Sequence, residues 1–88
     1  MLTQTDYQCA GILLGILSSS LPAGHLTMHV ESGSIVYYRW RFVKGEDEFG
    51  WQVGLGAKRF FFEVSRDVDA FAQNLIRDMR EHYDNAKR

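Results

Sequence analysis

Three histidines and one cysteine are the side chains of this 88-residue chain best suited to hold a metal ion or act as a nucleophile. His25 and His29 are four residues apart, and on an extended strand that spacing separates them by about 13 Å, too far to share one ion. His82 and Cys9 lie far from both in sequence, so no short-range set of zinc ligands exists, and no metal or cofactor is expected. Cys9 sits in an apolar stretch with no neighbouring cation to lower its pKa, which makes it a small core residue rather than a nucleophile. Gly54-Leu55-Gly56-Ala57-Lys58 faintly resembles a phosphate loop. It lacks the Gly-Lys-Ser/Thr ending, and the pattern behind it is that of a strand, with no helix to present amides to a phosphate. The carboxylates Glu46, Asp47, Glu48, Asp67 and Asp69 fall where solvated turns and helix starts favour them. No catalytic residue is assigned, and a non-enzymatic role is expected.

Composition narrows the classes further. Ten Lys and Arg against eleven Asp and Glu leave a formal charge of −1, without the basic excess that draws nucleic acid or an acidic membrane. The longest apolar stretch, Cys9 to Leu17, is far shorter than the roughly 20 residues that span a bilayer. Met1 to Gln8 carries Asp6 and neither Lys nor Arg, the wrong charge for a secretory signal. A single cysteine makes no internal disulfide. These features predict a cytoplasmic protein of one domain, residues 1–88, with no membrane partner.

The elements follow from periodicity. Thr5-Asp6-Tyr7-Gln8 fits a capping box, and Tyr7, Ala10, Leu14, Leu17 and Leu21 recur at helical spacing, predicting a helix from about Thr5 to Ser19. Gly11 and Gly15 share one side of it, suited to close approach of the sheet. From Leu26 to Val64 the period becomes two. Leu26, Met28 and Val30 begin the alternation; Val36, Tyr38, Trp40 and Phe42 continue it, then Phe49, Trp51, Val53 and Leu55. Phe60, Phe62 and Val64 would complete a fourth strand.

Register can be tested by parity, because a slip of one residue turns a strand's apolar side outward. A two-residue turn at Gly45-Glu46 pairs Phe42 with Phe49, Trp40 with Trp51 and Tyr38 with Val53. A three-residue loop, Ser32-Gly33-Ser34, pairs Val30 with Val36, Met28 with Tyr38 and Leu26 with Trp40. A second two-residue turn at Gly56-Ala57 would pair Val53 with Phe60 and Trp51 with Phe62. Glycine at the first central position suits a type II′ turn in both two-residue cases. All three hairpins then agree on one apolar face.

Ser65 is predicted to start a last helix with the stripe Val68, Phe71, Ala72, Leu75, Ile76, Met79 and Tyr83. Arg77 with Glu81 and Arg80 with Asp84 are spaced for ion pairs on its surface, and Asn85 to Arg88 should fray. The expected fold is α+β, in the order α-β-β-β-β-α: a four-stranded antiparallel meander with both helices on the face lined by Trp40, Trp51, Phe60 and Phe62.

Two helices cover one side of such a sheet and leave the other open. On the open side the registers place Thr27, Arg39, Gln52 and Phe61 in one row, His29, Tyr37, Gly54 and Arg59 in the next, and Arg41, Gly50 and Glu63 in a third. Tyr37, Arg39, Arg41, Gln52, Arg59 and Phe61 are the candidate partner-binding residues, since aromatic and Arg side chains concentrate where proteins bury one another. The expected partner is a protein, either a second copy in a homodimer or a larger assembly. It is reached through this face or through an edge strand, Leu26 to Glu31 or Lys58 to Val64. The alternative is single-stranded nucleic acid stacked on Tyr37 and Phe61 beside Arg39, Arg41 and Arg59. Glu31 and Glu63 on the same face count against it. A double-stranded-RNA mode would need a basic start to the last helix, where this chain has Ser65-Arg66-Asp67-Val68-Asp69.

Overall fold

Thr3 opens the first helix, α1 (Gln4–Ser20), in the computed structural model, which describes residues 1–86. Its hydroxyl accepts from the Asp6 amide at 3.1 Å, and the Asp6 carboxylate accepts from the Thr3 amide at 2.9 Å. This capping box lies two residues before the expected one, because Thr3-Gln4-Thr5-Asp6 also satisfies the pattern and its acid complements the helix dipole. Cys9, Ala10, Leu13 and Leu17 are buried. Tyr7 is 44% exposed, and a Cβ added at Gly11 or Gly15 would meet nothing within 4 Å. The two glycines therefore face away from the sheet, contrary to the expected close approach.

Three strands follow: β1 (His25–Glu31), β2 (Ile35–Lys44) and β3 (Asp47–Gly56), antiparallel in the order β1-β2-β3. Their registers agree with the parity reading, with Leu26 opposite Trp40, Tyr38 opposite Val53, and Phe42 opposite Phe49. Gly45, at φ +69°, takes the left-handed position that the turn between β2 and β3 needs.

The fourth strand is absent. The chain leaves β3 as a short helical segment, α2 (Ala57–Arg59), which runs on as a π-helical turn over Phe60–Val64. Gly56 sits at φ −85°, outside the left-handed region a type II′ turn requires. Three consecutive phenylalanines have no alternation of their own, so tertiary packing chooses the period. The helical choice buries Phe60 and Val64 and links Arg59 to Glu63 across one turn at 3.1 Å. It leaves Phe61 and Phe62 67% and 58% exposed. The sheet thus has three strands, and the proposed pairings of Phe60 with Val53 and Phe62 with Trp51 do not form.

Helix α3 (Val68–Asn85) begins at the Asp67 cap, later than Ser65, and buries Phe71, Ala72, Leu75, Ile76 and Met79. Asn85 completes the helix and Ala86 caps it, so the predicted fraying does not reach these two, while Lys87 and Arg88 lie outside the described residues. The expected ion pairs on its surface are replaced. Arg77 donates to Asn74 Oδ1, and Arg80 donates to the Ser20 carbonyl at 3.0 Å, placing a cation at the C-terminal end of α1. Lys44 does the same for α3, donating to the Tyr83 carbonyl at 2.6 Å with its ammonium 4.6 Å from the Tyr83 ring centre.

Inward-facing residues of β2 meet both long helices, which sets α1 and α3 on the same side of the sheet. Trp40 and Phe42 lie against Tyr83, with ring centres 6.3 and 5.0 Å away. Tyr38, fully buried, donates its hydroxyl to the Ala10 carbonyl at 2.7 Å. Burial first, and the Cys9 thiol second, push its ionisation well above the ordinary tyrosine value of about 10. The folded state therefore keeps this proton to higher pH than the unfolded chain. The stabilisation is whole below pH ~10 and is lost as pH rises beyond it, by up to about 1.4 kcal/mol per unit. Tyr38→Phe should cost about 1 kcal/mol near neutral pH and remove that part of the alkaline slope, as read by urea titrations at successive pH values.

Candidate functional site: the open sheet face and the β3 edge

Side chains that alternate with the inward set form the uncovered face. Across the three strands, His25, Arg41 and Gly50 share one row, Thr27, Arg39 and Gln52 the next, and His29, Tyr37 and Gly54 a third. Tyr37, Arg39, Arg41 and Gln52 thus stand together as expected. Arg59 and Phe61 do not join them, because both sit on the helical segment after β3. There Arg59 pairs with Glu63, and its guanidinium lies 5.3 Å from the Phe71 ring centre. Glu63 likewise leaves the row expected for it beside Arg41 and Gly50, and Arg41 pairs with Glu48 Oε1 at 2.8 Å.

The face is internally organised. Arg39 Nε donates to Gln52 Oε1 at 3.1 Å. The His29 and Tyr37 rings stack with centres 5.1 Å apart. Tyr37 also lies over Gly54, where an added Cβ would come within 2.8 Å of the ring. A hollow of about 520 Å³ opens between Gly24, Thr27, Arg39 and Arg41, and the Arg41–Glu48 pair stands at its margin. Among the described residues no group of three or more His, Cys, Asp or Glu is placed to hold a metal ion, and no helix is long and apolar enough to cross a membrane. Cys9 is a buried free thiol. The short helix after Gly56 does place amides behind the glycine-rich stretch, contrary to expectation, but it is three residues long before its π turn.

Comparison with protein-family models, curated proteins and solved structures gives no match. Geometry is the ground for function.

Sequence reasoning missed the edge that the absent fourth strand exposes. β3 is an outer strand of the sheet, and Phe49, Trp51 and Val53 on its inner face are only partly buried, whereas Val36, Tyr38, Trp40 and Phe42 of β2 are buried. The signal was available where α2 runs into the π-helical turn, since Arg59 and Glu63, and Phe60 and Val64, repeat at the four-residue spacing of a helix.

Proposed function

We propose that this chain is a small non-enzymatic module that acts through protein contacts, docking by the open side of its sheet or by an exposed strand edge. One observation carries the reading: Tyr37, Arg39, Arg41 and Gln52 stand on adjacent strands of a face that neither long helix covers. Aromatic and arginine side chains are frequent energetic anchors of protein interfaces, and Arg39 and Arg41 are already held here by Gln52 and Glu48. A cytoplasmic setting belongs to the same reading, since the one thiol is buried without a disulfide partner. The nucleic-acid alternative is weaker with Phe61 and Arg59 off the face, because only Tyr37 and its stacked neighbour His29 then remain as platforms.

The test is quantitative affinity capture with the wild type and a Tyr37→Glu/Arg39→Glu variant of unchanged circular dichroism. A protein recovered in fixed stoichiometry by the first and lost from the second supports the reading. Identical recovery by both removes the open face from it. An oligonucleotide shift at low salt that Arg39→Glu abolishes would hand the surface to nucleic acid instead.

A further inference from the structure

We propose that a second copy of this chain docks antiparallel along the free edge of β3, joining two three-stranded sheets into one of six. The proposal rests on the protein-contact reading above and names its partner and its register.

Backbone geometry supplies the first observation. Lys44 and Asp47 face each other directly across the two-residue turn, so they form a hydrogen-bonded pair. The backbone groups of Asp47, Phe49, Trp51, Val53 and Leu55 then point to β2. Those of Glu48, Gly50, Gln52, Gly54 and Gly56 point away from the sheet. Native proteins blunt such an edge with proline, lysine, a bulge or a short strand. β3 is ten residues long with an uninterrupted register, contains no proline or lysine, and has its only charges at its first two positions.

Apolar surface supplies the second. Phe49, Trp51 and Val53 lie half-covered beside this edge, and a neighbouring strand would continue their face. The other edge strand, β1, is seven residues long and has no aromatic residue on its inner face.

Charge selects the partner and its direction. Glu46, Asp47 and Glu48 stand at one end of the strand, and Lys58 and Arg59 follow its other end. Glu46 and Lys58 make no ion pair among the described residues. A two-fold axis through Gln52 sets Trp51 opposite Val53 of the second copy and Gly50 opposite Gly54, which brings the turn that carries Glu46 to the end of the other copy's strand, where α2 begins with Ala57 and Lys58. Acidic end then meets basic end twice, and no like charges face each other. Parallel pairing would stack the acidic ends together.

Sedimentation equilibrium of the full chain should give twice the 10.1 kDa monomer mass. Gln52→Pro removes an outward amide that bonds nothing within the sheet and should yield a monomer with unchanged circular dichroism, whereas Gln52→Ala, which loses only the side chain's bond to Arg39, should stay dimeric. Lys58→Glu should weaken self-association about tenfold, and adding Glu46→Lys should restore it. A wild type that stays monomeric at its highest soluble concentration overturns the proposal while leaving the protein-contact reading to its own capture test. A dimer that survives Gln52→Pro, or a Lys58→Glu loss that Glu46→Lys does not repair, also overturns it.

Discussion

Gly24→Ala should destabilise the protein by about 3 kcal/mol or more. Gly24 lies at φ +88°, where a side chain is strained whatever the space around it. The space is also taken: a Cβ there would collide with the Arg41 carbonyl oxygen and come within 2.8 Å of Phe42 Cβ and 2.9 Å of Trp40 Nε1. A carbonyl oxygen inside a ladder yields only if the strand moves. Relief therefore has to come from the loop, which would pull the Ala23 carbonyl away from Trp40 Nε1, its donor at 2.8 Å. Urea titration followed by tryptophan fluorescence should show the midpoint falling with the slope unchanged. A loss below about 1 kcal/mol would mean that the loop does not hold this conformation.

Trp40→Ala should cost about 3–5 kcal/mol. Trp40 is fully buried, its ring centre lies 4.4 Å from that of Phe42, and its indole nitrogen ties the loop before β1 to the centre of the sheet. Total stability for a chain of this length is of the order of 4–13 kcal/mol, so either substitution removes a large share. The two act at one corner, because Gly24 is shaped to the ring that Trp40 supplies. Truncating that ring clears part of the space a Cβ at position 24 needs. The double variant should consequently lose less than the sum of the single losses, and a strictly additive result would deny that the loop and the ring form one unit.

The two hairpins that form were legible in the sequence because two independent constraints agreed there. Turn length fixed which residues could face each other, and the inner face of β2 demanded partners of matching parity. Phe60-Phe61-Phe62 offered no such check. Every register of a uniformly apolar run satisfies the alternation test, and the Arg59–Glu63 spacing fits one helical turn as well as two outward strand positions. Gly11 and Gly15 misled in another way: small residues permit close approach without requiring it. At the candidate site, Tyr37, Arg39, Arg41 and Gln52 were found because register alone sets which strand residues share a face. Arg59 and Phe61 were misplaced with the strand that carried them, and the β3 edge was hidden by the same error.

The bond from Arg80 to the Ser20 carbonyl joins residues sixty positions apart, at the meeting of α1 and α3. On the ribosome, α1 emerges well before α3, the helix that docks on it. At about 5–20 residues per second the apolar stripe of α1 waits some 3–12 s for that cover. The meander, built from neighbours in sequence, can close during the interval. A chain released before Phe71 would carry a sheet whose inner side only α1 covers, a natural client for a holdase.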